Sequence, residues 1–136
     1  MGVIATNKRK ITLLYNSETH LGKQAHSYIQ ASNKKILAID ISKTKVTGTQ
    51  WAEISQNLNL TLSELVNQDH PDFVSNYKKP ISLTSDDWIK ILNAHPEVLS
   101  FPVLIDGTKY HLIETPSEIS KLLENEEQSN DPRSKD

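Results

Sequence analysis

The sequence predicts an α/β domain built on a mixed four-stranded sheet. Three observations predict it. A strand–helix–strand pattern occupies residues 10–41, the arrangement that pairs two strands in parallel through a right-handed crossover. A strand–hairpin–strand pattern followed by a helix occupies residues 101–123 and adds an antiparallel half. The stretch between them, about 49–99, is helical and reads as an insertion between the two halves.

The first strand, Lys10–Tyr15, is almost continuously apolar, as in a strand covered on both faces. Asn16–His20 is a polar loop. From Leu21 or Gly22 to about Ala31 the spacing turns helical, with Leu21, Ala25, Tyr28 and Ile29 on one side. Lys34–Ile41 is the second strand. Thr49 is a candidate cap for the next helix, whose inward residues are Trp51, Ile54 and Leu58. Thr61-Leu62-Ser63-Glu64 reads as a capping box opening a short helix through Val66. Asn67–Pro80 is less regular and reads as a bent helical excursion. Thr84 or Ser85 caps a helix that turns Trp88, Ile91 and Leu92 inward. Pro96 starts one further helical turn. Val103–Ile105 is the third strand, Asp106-Gly107 the hairpin signal, and Lys109–Ile113 the returning strand. Thr115, Pro116 and Glu118 open a last helix as cap, first helical position and capping-box partner, with Ile119, Leu122 and Leu123 toward the core. The domain so defined runs from 10 to 124, with a flexible segment at 1–9 and a charged tail at 125–136 expected to be disordered.

Composition excludes several function classes. The chain has 136 residues, enough for one domain with its own core. It contains no cysteine, which removes disulfides, thiolate metal sites and thiol nucleophiles. Lys and Arg total 15 against 17 Asp and Glu, a formal net charge of −2, so the basic excess of a nucleic-acid binder is missing. The first residues lack the apolar run of a signal peptide, and no stretch approaches the length of a membrane span. The expected location is the cytoplasm.

The order of elements and the phrase Asn93-Ala94-His95-Pro96-Glu97-Val98-Leu99-Ser100-Phe101-Pro102-Val103-Leu104-Ile105-Asp106-Gly107 resemble arsenate reductases of the ArsC/Spx-like family. The resemblance covers roughly Ile11–Leu123. It implies a thioredoxin-like fold with a helical insertion. In that family a helix ending in an asparagine-proline-glutamate-leucine phrase leads to an arginine-proline pair and an apolar strand. The last helix begins where Thr115-Pro116-Ser117-Glu118 stands here.

The departures from the family pattern carry more information. The family's catalytic cysteine lies in the loop after the first strand, and Thr19 stands at that place. Three arginines of the family hold the oxyanion. Their nearest matches here are Asn67 in the insertion, Phe101 before the proline and Thr115 before the last helix. A threonine hydroxyl without a strong base does not replace a thiolate. Phe101 offers no hydrogen bond to an oxyanion, and Asn67 and Thr115 offer only neutral ones where arginine gives charged, forked ones. The resemblance thus implies a member of the family with no catalytic residues of that kind.

Two features invite a further reading. Ser17, Thr19, His20 and Lys23 surround the start of the first helix, whose end presents unpaired backbone donors. They read either as an anion site or as simple capping residues. By resemblance, Pro102 is the cis-proline of thioredoxin-like folds, where the backbone before it pairs with an extended peptide. The alternative is that Pro102 only shapes the strand entrance. His20, His26, His70, His95 and His111 show no metal-ligand spacing, and no nucleophile-elbow, phosphate-loop or dinucleotide signature is present. No metal or cofactor is expected. Trp51 and Trp88 sit on apolar helical stripes and read as core. The Lys34–Lys35 and Lys78–Lys79 pairs read as solvated ends.

Three functions compete. The first is a non-catalytic binding or regulatory module that uses the former active-site groove for a protein or extended peptide; some Spx-like relatives contact RNA polymerase. The second is an enzyme working with an external thiol such as glutathione, with His20 as its base. The third is a structural homodimer subunit. Binding predicts an apolar concave surface shared by Leu21, Val98 and Phe101 beside Pro102, an enzyme a polar pocket with a perturbed histidine, and a dimer a self-complementary apolar face. The competing reading of Phe101 buries it in the core.

Overall fold

Ile11–Tyr15 are all buried, and this unbroken burial makes β1 (Ile11–Tyr15) a central strand. In the computed structural model, which describes residues 10–77 and 83–129 (the backbone alone for 124–129), β1 lies between β2 (Ile36–Asp40) and β3 (Val103–Asp106), with β4 (Lys109–Leu112) beyond β3. The order β2-β1-β3-β4 joins a parallel pair, Ile11 opposite Ile36, to two antiparallel pairs, Leu14 opposite Val103 and Asp106 opposite Lys109. This is the mixed four-stranded sheet the sequence predicts. The hairpin turn is Gly107-Thr108, one residue later than the Asp106-Gly107 signal. Asp106 closes the ladder, and Gly107 takes the left-handed backbone, φ 61°.

Alternation along the strands splits the core into two layers. Ile11, Leu13, Tyr15 and Leu104 face α1 (His20–Gln30) and α6 (Glu118–Ser129), packing with Ala25, Ile29, Ile113 and Ile119. Leu14, Val103 and Ile105 face the insertion. The insertion comprises α2 (Gly48–Leu58), α3 (Leu62–Leu65), α4 (Pro71–Asn76), α5 (Ser85–Ala94) and a 3-10 turn at Pro96–Val98. Trp51, Phe73 and Trp88 fill this layer. The Phe73 and Trp88 rings stack at 5.8 Å, and Asn93 ties α5 to α2 by accepting from the Trp51 indole N–H at 3.2 Å and donating to the Val46 carbonyl at 3.0 Å. Truncating a buried side chain here costs roughly 2–5 kcal/mol.

Caps fix the helix starts. Thr61 and Thr84 make capping boxes with Glu64 and Asp87. α2 is capped by Thr47, with Gln50 completing the box, and not by Thr49, which lies inside the helix. The expected inward face of α1 keeps Ala25 and Ile29, while Tyr28 is 37 % exposed, Leu21 is only half-buried, and Gly22 is buried beside them. At α6, the Thr115 N–H donates to Glu118 Oε2 at 2.7 Å. This helix runs to Ser129, beyond the expected end of the domain at 124, because Glu, Gln and Asn there carry no strong breaker. Segment 1–9, the Lys78–Lys79 pair and residues 130–136 lie outside the described residues.

Candidate functional site

At the carboxyl end of β1 the chain must leave the sheet and start α1, and one residue organises the exit. Asn16 is 5 % exposed, its Oδ1 accepts the Glu18 N–H at 2.8 Å, and its carbonyl accepts from both the N–H (3.1 Å) and the hydroxyl (2.9 Å) of Thr19. Thr19 is the N-cap of α1, accepting the Gly22 N–H at 3.0 Å. The turn is so tight that a Cβ on Gly22 would stand 1.9 Å from the Asn16 carbonyl oxygen, so only glycine fits. Asn16 Nδ2 is buried and has no partner among the described residues.

A second clasp closes the loop from outside. Asp40, at the end of β2, accepts through Oδ1 the N–H of Ser17 (3.1 Å) and the N–H (3.1 Å) and hydroxyl (2.7 Å) of Ser42. Burial alone would raise the Asp40 pKa, but the hydrogen bonds from Ser17 and Ser42 outweigh it and hold the carboxyl below its ordinary value. Sequence reasoning missed Asp40 and Ser42. An Asp at a parallel-strand end two residues before a Ser is the signal that could have marked them.

The facing wall comes from the insertion. Ser100 N–H donates to the Leu65 carbonyl at 2.9 Å and Asn67 N–H to the Val98 carbonyl at 2.7 Å, forming an antiparallel bridge between Val66 and Leu99. This bridge delivers the chain to Phe101 and Pro102. Pro102 is buried, and its carbonyl accepts from Ile113 at 2.8 Å. Phe101 is partly exposed and belongs to neither core layer, so the core reading of this residue is not met. Among the described residues, its backbone N–H and carbonyl have no hydrogen-bond partner.

Between the walls lies a cleft of about 270 Å³, floored and walled by Asn16, Thr19, Leu21, Asn67, Phe101 and Pro102 and closed by His70, Glu97, Leu99 and Ser100. The structure therefore brings together Thr19, Asn67, Phe101 and Pro102. It leaves Thr115 outside, exposed ahead of α6. Ser17, His20 and Lys23 do not line the cleft either. Ser17 is held by Asp40, and His20 and Lys23 are exposed on α1. Thr19 spends its hydroxyl on the cap, which favours the capping reading over an anion site. Of the expected apolar face, Leu21 and Phe101 are present. Val98 is fully buried, because the 3-10 turn points it into the insertion core, and Leu99 takes its place.

The lining is mixed rather than apolar. His70 was not foreseen in it. Its Nδ1 accepts the Asp72 N–H at 3.1 Å as the cap of α4, so that nitrogen is not free to act as a base. Among the described residues, no lysine or arginine lines the cleft. The two arginines of the chain, Arg9 and Arg133, are both outside the described residues. The histidine whose pKa is lowered, by burial first and then by Lys109, is His111 on β4, away from this cleft.

A central β1 between a parallel β2 and an antiparallel β3–β4 hairpin, with a helical insertion beside the exit of β1, is the thioredoxin-like fold of arsenate-reductase-type proteins. Solved structures bear this out. A Yersinia pestis protein provisionally described as an arsenate reductase superposes with a TM-score of 0.72 at 12% identity, over 82% of this chain and 99% of that one. An arsenate reductase from Vibrio cholerae gives 0.70 at 11% identity, over 85% and 98%. An arsenate reductase (ArsC) related protein from Brucella melitensis gives 0.61 at 12%, over 88% and 98%. At these identities the likeness is one of fold. Neither the family models nor the curated proteins compared with the sequence give a match. This chain carries that fold without a cysteine.

Proposed function

We propose that this protein is a non-catalytic, arsenate-reductase-like module that holds an extended segment of a partner protein in the cleft beside Phe101–Pro102. One observation carries the reading. The chain has no cysteine and, among the described residues, no guanidinium lines the cleft, yet a partly exposed aromatic does, whose own N–H and carbonyl are unpaired among those residues. Thiol attack on an oxyanion needs a thiolate. The hydroxyl at Thr19 is no substitute, because it is already the helix cap and has no base beside it. An extended peptide, by contrast, supplies the carbonyl and N–H that the Phe101 backbone lacks, in the manner of strand addition, and an apolar side chain for Phe101, Leu21 and Leu99. The volume of about 270 Å³ lies just under the usual range of small-molecule pockets, about 300–1,000 Å³, and accommodates a side chain with a short run of backbone.

The alternative, an enzyme using an external thiol, gains no observation in its favour. His20 does not line the cleft, and the Nδ1 of His70 is engaged in a cap. The test joins two measurements on the purified chain. A displayed library of random nonapeptides is selected on the immobilised protein, and arsenate reduction is assayed with glutathione and glutaredoxin. The expected result is an enriched pool and no turnover above the protein-free rate. Turnover, or a library that never enriches, would overturn the proposal.

A further inference from the structure

β2 forms the edge of the sheet opposite β4 and pairs only with β1, so its outer side is open. The Ile41 N–H donates to the Tyr15 carbonyl at 2.8 Å, which turns the backbone groups of the odd positions 37, 39 and 41 toward β1. Those of Ile36, Ala38 and Asp40 therefore point outward. The Asp40 carbonyl accepts from the Lys43 and Thr44 N–H groups at 3.0 and 2.9 Å, but the N–H and carbonyl of Ile36 and Ala38 have no outward partner among the described residues. Open edges are ordinarily blunted by a charge, a proline or a bulge. Residues 36–39 are Ile-Leu-Ala-Ile, and Leu37 is 47 % exposed.

We infer that two copies of this chain join edge to edge through antiparallel β2 strands, with the twofold axis at Leu37. The register follows from the backbone. Antiparallel pairing sets outward positions against outward positions, so three registers centre the pair on residues 36, 37 or 38. With the axis at Ala38, Ile36 faces the second copy's Asp40, whose carbonyl is already taken, and the Ile36 N–H stays unpaired. With the axis at Ile36, Ala38 faces Lys34, whose N–H is taken by Ser32 Oγ at 3.1 Å. With the axis at Leu37, Ile36 faces Ala38 in both directions, and every open group of both residues is paired.

Two side-chain observations favour the same register. Leu37 meets its own copy at the closely spaced, non-hydrogen-bonded position, where both exposed side chains leave water. The Lys34–Lys35 end of each strand comes beside the other copy's Asp40, whose three accepted bonds all fall on Oδ1. Lys34 and Lys35 have no ion pair of their own among the described residues. No residue of 34–40 lines the cleft, so the pairing leaves Phe101 free.

Five residues a side are fewer than the roughly 20–30 of a standard interface, so the dimer should be weak and concentration-dependent. Sedimentation velocity of the full chain, over about a hundredfold dilution from a millimolar stock, should show dimer giving way to monomer. Leu37→Lys sets like charges face to face on the axis and should weaken the dimer by about tenfold or more. The chain has no cysteine, so a single introduced one reports the register. In the Leu37→Cys dimer the two Cα atoms would lie about 4.5 Å apart, within disulfide reach, whereas Lys35→Cys would hold them roughly 14 Å apart. Under oxidised glutathione the first variant should cross-link about tenfold faster than the second. A parent that stays monomeric throughout, a dimer untouched by Leu37→Lys, or equal cross-linking of the two cysteine variants overturns the proposal. The dilution series of the parent needs no variant to fold, and Leu37 and Lys35 are both exposed, so neither cysteine disturbs the core.

Discussion

The two walls of the cleft are built to opposite specifications. On the β1–α1 side, the Asn16 carbonyl and the Thr19 hydroxyl end in bonds of the loop itself, the Ser17 N–H ends on Asp40 of β2, and Gly22 is pressed against the Asn16 carbonyl. On the facing side, the bridge between Val66 and Leu99 stops short of Phe101, which is partly exposed and keeps unpaired backbone groups among the described residues. One wall is closed by its own hydrogen bonds, with only the buried Asn16 Nδ2 left unpaired among the groups named, and the other is left open. Thr19 on the first wall serves as a helix cap, whereas the Phe101 backbone on the second remains able to take a hydrogen-bond partner.

Substitutions that strain the closed wall should have the largest effect on stability. Gly22→Ala forces a methyl into the Asn16 carbonyl, which is backbone and cannot step aside. A loss of about 3 kcal/mol is expected by chemical denaturation, the upper end for overpacking. A loss near zero would mean the loop is looser than its hydrogen bonds indicate.

Thr19→Ala removes the α1 cap and should cost about 1 kcal/mol. Thr19→Cys sharpens the comparison, since it places a thiol at the head of α1, where the helix N-terminus favours some thiolate. It should still give no arsenate turnover with glutathione and glutaredoxin, because no lysine or arginine among the described residues lines the cleft to hold the oxyanion. Turnover in this variant would show that the closed wall retains a reactive site.

Asp40→Asn tests the outer clasp. Charge-assisted bonds to Ser17 and Ser42 become neutral, for a loss of about 1 kcal/mol at neutral pH. The folded pKa lies below the ordinary 3.8, so the stabilisation is present above that value and fades as pH falls through it. The parent should therefore lose stability to acid below about pH 4, and Asp40→Asn should lose less over the same window. Parallel acid limbs for the two proteins would remove Asp40 from the account.

Much of this was legible in the chain. β1 showed as a nearly continuous apolar run because both of its faces are covered, and the Thr61–Glu64 capping box and a cap at Thr84 or Ser85 marked their helices through local chemistry alone. Phe101 and Pro102 were marked by the phrase that contains them. What escaped depends on contacts far apart in sequence. Asp40 reaches Ser17 across 23 positions, and His70 and Glu97 meet the β1–α1 loop only once the insertion is folded. Val98 and Leu99 exchanged roles because a single 3-10 turn, with three residues per turn, decides which neighbour faces in. Thr115 was assigned to the site by the family resemblance alone, as the residue before the last helix, and it does not line the cleft.

The smallest expected effect on stability is also the most direct test of the open wall. Phe101→Ala is to be measured twice, by denaturant unfolding and by retention of a peptide enriched on the parent protein. Because Phe101 lies outside both core layers, its stability should stay within about 1 kcal/mol of the parent. Peptide retention should be lost. A cost of roughly 3–5 kcal/mol, as for a deeply buried aromatic, or undiminished retention of the peptide, would contradict the assignment of this wall to binding.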